Sequence, residues 1–365
     1  MKFTDTDFPY IVYDPEQTPF EWGRAHGEEF KEAIGELFEI RKELMLAKNP
    51  AIVGELDRLA TEQFESTKSF SPDLHQELLG LCEGSGLSST EIVILNNYTD
   101  FRDIELPNEG CSSLHVQREE RSLSGQTWDM HGSAKNYVCL IHIPETWGYP
   151  EHLVFSLVGC LGMMGVNTHK ALIGVNNINT KNARAGILWP ALVRRCLYEK
   201  DLHSMKEVLL NAPVTSGHNY ILSDPFGGEH WEVTPEEKDC IGALKKGDKS
   251  EVIHTNHCLG KKVKLLEDEL SVNSTTLERL EILKKKTPQV QNLTDLQRLL
   301  SDHENYPKSI CSHFESGAQD PSMTCGGGVG ELSGNKVIFW RGCREYDDNY
   351  VQHNFEIRDQ KIVRV

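Results

Sequence analysis

The dipeptide Gly110-Cys111 stands at an abrupt change in the local pattern of this chain. Before it, apolar residues mostly recur with the period of α-helices, whereas residues 111–116 and much of the later chain have the pattern of β-strands. A chain divided in this way is expected to pack helices against sheets. A Gly-Cys bond at the junction also indicates a precursor that cleaves itself and leaves the cysteine as a new N-terminal residue.

An N-terminal cysteine would carry its own catalytic base. The thiolate is the reactive form of cysteine, and a free α-amine, with a reference pKa of roughly 8, can accept the thiol proton. The alternative interpretation of Cys111 is a small buried apolar residue, which is the commoner role of cysteine. Other parts of the sequence have to decide between these two roles.

The first 110 residues are predicted to be mainly helical. After a β-like lead-in over residues 1–20, apolar positions at a helical spacing predict one long helix beyond Glu21, a second helix over about 52–66 and a third that ends at 84–86. Ser88 and Glu91 form the sequence pattern of a capping box, which predicts the start of a fourth helix.

Short β-rich runs bounded by Gly, Pro and Asn dominate the remainder. The predicted strands are 137–143, 153–158, 171–175, 219–223, 231–233, 251–255, 336–341 and 355–365, and the predicted helices are 189–200, 203–211, 274–286 and 294–303. The order of helices, strands, helices and strands predicts an α+β fold of helices layered on sheets. The sequence has no internal repeat, and its pattern suggests a division only near residue 110.

The charge and the apolar pattern exclude several classes of partner. The formal net charge of −17 would repel nucleic acid and anionic membranes, so a small-molecule partner is expected. No apolar run approaches the roughly 20 residues of a membrane span, and the first residues lack an apolar signal core, which predicts a cytoplasmic protein. The ten cysteines are irregularly spaced and contain no C-x-x-C, so most are expected to be reduced core residues.

Asp129 is a candidate partner for an N-terminal amine. It follows Cys111 by eighteen positions, and two adjacent strands joined by a turn would bring it back beside the cysteine. A carboxylate there could hold and orient a protonated amine. The alternative interpretation is an aspartate at the end of a hairpin that serves only the turn.

The run from His254 to Cys258 is the densest polar cluster after a predicted strand. It offers two histidines and one cysteine to a metal, but no fourth ligand follows at a zinc-like spacing, so neither a metal nor another cofactor is predicted. Asn256 could instead donate a side-chain N–H to a developing oxyanion, or could simply form a loop.

Three further polar residues are candidates for a substrate pocket. Asn176 lies in a group of three asparagines that closes a predicted strand, and His218 and Asn219 open another. The alternative interpretation, and the commoner role of such runs, is an ordinary turn or a structural element. Cys160 is a rival nucleophile. Its neighbours are apolar, and apolar surroundings raise the pKa of a thiol and lower its reactivity, so we interpret Cys160 as a core residue.

Several short motifs follow one another along nearly the whole chain. They are Gly23-Arg24-Ala25-His26-Gly27, Glu83-Gly84-Ser85-Gly86, Asn96, Gly110-Cys111, Gln126 through Asp129, His254 through His257, Arg279, and Tyr306-Pro307 with Ser309-Ile310-Cys311. In this order and spacing they resemble the acyl-coenzyme A:6-aminopenicillanate acyltransferase family, also described as cysteine peptidase family C45.

The resemblance implies an N-terminal-nucleophile hydrolase with an αββα sandwich and two central antiparallel sheets. It implies cleavage between Gly110 and Cys111, which would leave residues 1–110 as a retained helical small subunit and residues 111–365 as the catalytic subunit. It makes Cys111 the nucleophile, Asp129 the partner of its amine and Asn256 the oxyanion donor.

More distant relatives, the bile-salt hydrolases and penicillin V acylases, imply a polar pocket asparagine at Asn176. The sequence departs from some relatives in one respect, since the surroundings of Gly326-Gly327-Gly328 offer no matching arginine. The expected activity is hydrolysis or transfer of the acyl group of a small amide through an acyl-cysteine. The alternatives are an unprocessed, non-catalytic binding protein of the same fold and a papain-like protease, although the local cysteine signature of the latter is absent.

Overall fold

The computed structural model describes residues 8–103, 110–146, 148–268, 275–313 and 322–365. The helices in this part of the chain are α1 Pro19–Glu29, α2 Lys31–Lys48, α3 Leu56–Phe70, α4 Pro72–Ser85, α5 Ser89–Asp103, α6 Trp189–Cys196, α7 Leu202–Asn211, α8 Thr276–Lys286 and α9 Leu293–Leu300. The strands are β1 Tyr10–Val12, β2 Ser113–Arg118, β3 Arg121–His131, β4 Val138–Ile143, β5 His152–Leu157, β6 Met164–Asn167, β7 Leu172–Asn177, β8 His218–Asp224, β9 Gly227–Val233, β10 Lys238–Lys245, β11 Lys249–His254, β12 Ser322–Glu331, β13 Lys336–Arg341, β14 Val351–Arg358 and β15 Lys361–Arg364.

The strands form two facing sheets. Within the described residues, one sheet has the order β1-β4-β5-β6-β7-β8-β9-β10 and the other the order β11-β2-β3-β12-β13-β14-β15. Strands β2 and β3 of the second sheet pack on β7, β8 and β9 of the first. Helices α6 and α7 cover the outer face of the first sheet, and α8 and α9 cover that of the second. The predicted α+β sandwich of four layers is therefore confirmed, with one departure: β1 joins β4 in parallel rather than antiparallel.

The capping box predicted from Ser88 and Glu91 is present. The Ser88 N–H donates to Glu91 Oε2 over 2.7 Å, and the Glu91 N–H donates to Ser88 Oγ over 3.3 Å. The helix expected beyond Glu21 is instead two helices that meet at Phe30, and the first begins earlier because Thr18 forms a second capping box with Glu21.

Glycines in two of the sequence motifs allow α1 and α4 to touch. A Cβ on Gly23 would lie 1.9 Å from the carbonyl oxygen of Glu77, and a Cβ on Gly84 would lie 2.2 Å from that of Arg24. No side chain fits into such a contact between backbones. These glycines therefore serve helix packing rather than chemistry.

Buried polar contacts tie the helical N-terminal part to the first sheet. Arg194 of α6 pairs in a bidentate manner with Glu77 of α4, with N–O distances of 3.0 and 3.1 Å. His26 accepts the N–H of Gly159 over 3.1 Å, and burial, together with the Arg194 charge, lowers the pKa of this histidine to about 3. His26 is thus a neutral structural acceptor between the two parts.

Strand β12 was not predicted because glycine is normally depleted in strands. Here large aromatic side chains of the neighbouring strand β13 occupy the space that side chains of β12 would need. A Cβ on Gly327 would lie 2.4 Å from Cζ2 of Trp340, and one on Gly328 would lie 2.6 Å from the ring of Phe339.

An arginine does lie beside this glycine-rich stretch in space. Arg341 of β13 is paired in register with Gly326, and its guanidinium is buried and donates to the carbonyl of Asn349 over 3.0 Å. The two residues meet across neighbouring strands rather than along the chain, so their proximity could not be read from the sequence.

Among the described residues, no single helix combines the length and the apolar character needed to cross a membrane. Pro72–Ser85 and Ser89–Phe101 meet that test of length and composition only when taken as a pair, and the pair is bent by 114°.

Candidate active site

The hairpin of β2 and β3 brings Cys111 and Asp129 together. Ser112, just before β2, extends the pairing, because its N–H donates to Thr127 Oγ1 over 3.0 Å and its carbonyl accepts the Thr127 N–H over 2.9 Å. One residue further back, the Cys111 Sγ accepts the backbone N–H of Asp129 over 3.5 Å. The eighteen-residue spacing thus returns Asp129 to Cys111 through two adjacent antiparallel strands, as the sequence suggested.

Asn256 holds the backbone of Cys111. Its Oδ1 accepts the Cys111 N–H over 2.6 Å and a guanidinium N–H of Arg279 over 2.9 Å, and its Nδ2 donates to the carbonyl of Asn177 over 2.9 Å. Two donors converge on Oδ1, so the orientation of the amide is determined by its partners. The Asn256 backbone N–H donates to Thr276 Oγ1 over 2.8 Å, which fixes this residue at the end of β11.

Arg279 of α8 is the residue of this site to which the sequence assigned no role. It is fully buried, and its Nη1 donates to the carbonyl of Cys111 over 2.6 Å and to Ser112 Oγ over 3.0 Å. Leu280 and Leu283 share its buried face of the helix. An arginine inside the apolar stripe of an amphipathic helix is the signal that could have found it, since a buried cation requires partners.

Gly110 is required by the close approach of this arginine. A Cβ on Gly110 would lie 2.5 Å from Nη2 of Arg279 and 2.9 Å from its Cζ. The guanidinium that holds the Cys111 carbonyl therefore leaves no room for a side chain at the preceding residue.

We expect Gly110→Ala to slow cleavage of the Gly110–Cys111 bond by about tenfold, because the methyl group displaces Arg279 and an interaction of roughly 1.4 kcal/mol is lost. The rate is measured by following the mass of the denatured chain after synthesis. Gly35→Ala is the matched control, since a Cβ there meets nothing within 4 Å, and it should cleave normally. A normal cleavage rate in Gly110→Ala would contradict the steric argument.

The Asp129 carboxyl lies in a buried environment that disfavours its charge. Burial raises its pKa to about 7, against the opposing effects of the Arg279 charge and of hydrogen bonds from the Thr324 and Thr127 hydroxyls. Among the described residues, Oδ1 of Asp129 has no hydrogen-bond partner. A positive charge appearing close by would stabilise the carboxylate, and cleavage at Cys111 would create such a charge.

Two of the three candidate pocket residues lie together between the sheets. Asn176 Oδ1 accepts the hydroxyl of Ser113 and, over 3.0 Å, the side-chain N–H of Asn219. Ser113 follows Cys111 by two residues, and side chains two apart in an extended segment point to the same face. The pair of Asn176 and Asn219 therefore lies on the same side as the cysteine. Within the described residues, Asn176 Nδ2 and Asn219 Oδ1 have no hydrogen-bond partner.

The structure does not bring His218 into this group. Its Nε2 lies 3.6 Å from Oδ1 of Asp100, and its ring packs against Trp189 with centroids 5.8 Å apart. Burial lowers the pKa of His218 to about 4. The ring therefore belongs to the helical side of the first sheet.

The two histidines that flank Asn256 are engaged by protein groups. His254 is fully buried, with Nε2 2.8 Å from Glu232 Oε1 and Nδ1 2.6 Å from the Thr255 carbonyl oxygen. His257 Nδ1 lies 2.9 Å from Thr276 Oγ1. In the described part of the chain neither histidine belongs to a cluster of potential metal ligands, so they support the segment that carries Asn256.

Cys160, the rival nucleophile, lies in the core. Its Sγ is 3.5 Å from the carbonyl oxygen of Leu95 and 4.0 Å from a guanidinium nitrogen of Arg41. Burial raises the pKa of this thiol to about 11, which disfavours the thiolate that catalysis requires.

Comparison with known proteins tests the resemblance to the acyl-coenzyme A:6-aminopenicillanate acyltransferase family. A curated relative, the acyl-coenzyme A:6-aminopenicillanic-acid-acyltransferase 40 kDa form of Emericella nidulans, is 24% identical over 310 residues, which are 82% of this chain and 84% of the relative. Among solved structures, a Caenorhabditis elegans N-acylethanolamine-hydrolyzing acid amidase ortholog aligns with a TM-score of 0.42 and 11% identity over 61% of this chain and 93% of its own. A mutant of the conjugated bile acid hydrolase from Clostridium perfringens aligns with a TM-score of 0.41 and 12% identity over 70% of this chain and 96% of its own. The family model for acyl-coenzyme A:6-aminopenicillanic acid acyl-transferase matches residues 116–321, more than half of the chain, and the chain therefore belongs to that family.

Proposed function

We propose that this protein is a self-cleaving amidohydrolase whose nucleophile is the N-terminal Cys111 that cleavage exposes. The observation that carries the proposal is the convergence of separate elements on one residue. Asn256 binds the Cys111 N–H, Arg279 binds its carbonyl, and the Asp129 N–H contacts its Sγ. A core cysteine has no need of this arrangement, whereas a nucleophile whose backbone nitrogen takes part in the reaction does.

Cleavage would begin with attack of the Cys111 sulfur on the carbonyl carbon of Gly110. A sulfur–carbon bond forms, the carbon–nitrogen bond breaks, and the thiol proton ends on the Cys111 nitrogen, which becomes a free amine. Water then opens the resulting thioester to give the Gly110 carboxylate and the Cys111 thiol. Arg279 and Asn256 hold the two backbone ends of Cys111 during this exchange.

In turnover, the Cys111 α-amine would accept the thiol proton, and the thiolate would attack the acyl carbonyl of the substrate. One hydrogen of Asn256 Nδ2 is held by the Asn177 carbonyl, and the second is the donor that we assign to the oxyanion. The α-ammonium then protonates the leaving amine, with the Asp129 carboxylate as its counter-charge. Water releases the acyl group and restores the thiol.

The buried Arg279 supports this chemistry through its charge. The negative charges of Asp129 and Cys111 favour the protonated guanidinium and so oppose the lowering of the Arg279 pKa by burial. By the same interaction, the guanidinium favours a thiolate at Cys111. We therefore include Arg279 with Cys111, Asp129 and Asn256 in the catalytic group.

Residues 1–110 would stay bound after cleavage as a small subunit. Hydrogen bonds inside the core cross between the two segments. The Gly159 N–H donates to His26, and the Asn96 side chain donates to the Gly159 carbonyl and accepts the Leu161 N–H. A broken bond at residue 110 removes none of them.

We favour water over an amine as the acceptor, because selective transfer requires a second site that excludes water. The proposed substrate is a small amide, consistent with the acyl transfer in the name of the curated relative. An unprocessed binding protein of the same fold remains the alternative, and the mass of the denatured chain separates the two.

The proposal is tested by trapping the acyl-enzyme. Purified, cleaved protein is mixed with a panel of N-acyl amides that vary in acyl chain and amine, quenched in acid, digested and analysed by mass spectrometry. We expect one class of substrate to add its acyl mass to the peptide that begins with Cys111. Turnover that survives alkylation of Cys111, without any acyl adduct on that peptide, would refute it.

We expect Asp129→Asn to fold and to lower turnover of the cleaved protein by at least about tenfold, because it removes an interaction with the α-ammonium of roughly 1.4 kcal/mol or more. Initial rates of the cleaved fractions of the variant and the wild type provide the comparison. Asp57→Asn, at an exposed position of α3, is the control and should match the wild type. If cleaved Asp129→Asn is fully active, Asp129 has no part in the mechanism.

A further inference from the structure

Four potential metal ligands meet beside the second sheet, outside the group around Cys111. They are His303, in the segment after α9, Cys311 and His313, further along it, and Cys343, just after β13. One donor atom from each of the four side chains lies within 4.8 Å of the other three. Both cysteines are buried and both histidines are partly buried.

The distances within the cluster fit a tetrahedral metal ion. His303 Nε2 lies 3.4 Å from Cys343 Sγ, and His313 Nε2 lies 3.4 Å from Cys311 Sγ. With zinc–sulfur and zinc–nitrogen bonds of about 2.3 and 2.05 Å, a tetrahedral site has sulfur-to-nitrogen edges of about 3.6 Å. Two edges are thus already formed, and the remaining pairs need to close by at most about 1.5 Å.

The surroundings of His303 are those of a metal-binding histidine. Its Nε2 faces the cluster, while its Nδ1 lies 3.3 Å from Oε2 of Glu345. A carboxylate that accepts the second ring N–H fixes the tautomer and orientation of a ligating imidazole. The ring also stacks on His313, with centroids 5.6 Å apart.

We propose that His303, Cys311, His313 and Cys343 bind one Zn²⁺ ion in a tetrahedral Cys₂His₂ site. Two thiolates and two imidazoles suit zinc, and four protein ligands leave no position for water or substrate, so the site is structural rather than catalytic. The sequence alone did not suggest it, because forty positions separate His303 from Cys343 and no C-x-x-C motif marks the ligands.

The ion would stabilise the backbone that packs beside Asp129. Ser312, between two of the ligands, donates its N–H to Thr324 Oγ1 over 2.9 Å and accepts the Thr324 N–H over 2.8 Å. Thr324 is paired in register with Asp129 on the neighbouring strand β3. A metal that joins the 303–313 segment to the end of β13 therefore fixes the strand on which the surroundings of Asp129 depend.

The test is the metal content of the full chain, purified without a metal-affinity step. We expect inductively coupled plasma mass spectrometry to find about one zinc ion per chain. Cys343→Ser and His303→Ala should each lower the bound zinc at least tenfold, whereas Cys240→Ser and His169→Ala, at exposed positions, should retain it. Cys111→Ala should bind zinc as the wild type does, so the outcome does not depend on the proposed function.

A second measurement needs no variant of the cluster. Wild-type protein is exposed to a thiol-alkylating reagent with and without a strong chelator, and the labelled peptides are quantified. Cys311 and Cys343 should become labelled at least tenfold faster after chelation, while labelling of the exposed Cys240 should not change. Protein that neither contains zinc nor takes it up from a zinc buffer would overturn the proposal. So would a Cys311–Cys343 disulfide found in the purified chain, or labelling of these two residues that the chelator leaves unchanged.

Discussion

Cys111→Ala is expected to remain one uncleaved chain and to have no measurable turnover. The methyl group has no lone pair with which to attack the Gly110 carbonyl, so the bond between the two residues stays intact. Without cleavage there is no α-amine, and without sulfur there is no acyl-cysteine. Under the proposed mechanism, a single substitution therefore removes the nucleophile of both reactions and prevents its base from forming.

The variant is also expected to fold normally, because Ala keeps the N–H that Asn256 accepts and the carbonyl that Arg279 binds. Denaturing mass analysis of the purified chain should give one mass for Cys111→Ala and two for the wild type. Cys160→Ala is the matched control and should still give two masses, since that cysteine lies in the core. Scission of Cys111→Ala at the same bond would disprove self-cleavage by Cys111.

The fold could largely be predicted from the sequence where local patterns decide it. The capping box of Ser88 and the β-rich runs after residue 111 act over a few residues, and their predictions hold. The apolar period beyond Glu21 predicted helix correctly but not its division at Phe30. Strand β12 could not be predicted, because its glycines are matched by Trp340 and Phe339 from the next strand. The parallel pairing of β1 with β4 likewise depends on contacts distant in the chain.

The candidate site shows the same division. The return of Asp129 to Cys111 follows from a hairpin of two neighbouring strands, so a spacing along the chain was enough to predict it. Arg279 comes from a helix 168 positions after Cys111, and no local pattern states what its guanidinium will meet. The same holds for Gly110, because its close approach to Arg279 joins two distant parts of the chain.

Asn256→Ala is expected to lower the turnover of fully cleaved protein by roughly 10² to 10³, the usual loss for one oxyanion donor. The side chain is held before any charge develops, by Arg279 on its oxygen and the Asn177 carbonyl on its nitrogen. A donor fixed in this way needs no reorganisation when the substrate carbonyl becomes negative. Removing it should lower kcat and kcat/KM together, because the interaction forms only in the transition state.

Asn256→Asp distinguishes the role of the Asn256 side-chain oxygen from that of its Nδ2 donor. An aspartate keeps an oxygen for the Cys111 nitrogen and for Arg279 but replaces the Nδ2 donor with a second acceptor. If donation to the oxyanion matters, Asn256→Asp is as inactive as Asn256→Ala; if Asn256 only positions the nucleophile, Asn256→Asp retains most of the turnover. Asn211→Ala, at the exposed end of α7, is the control and should be fully active. Alanine has no side-chain N–H to donate. Near-normal turnover in cleaved Asn256→Ala would therefore end the assignment of Asn256 to the oxyanion.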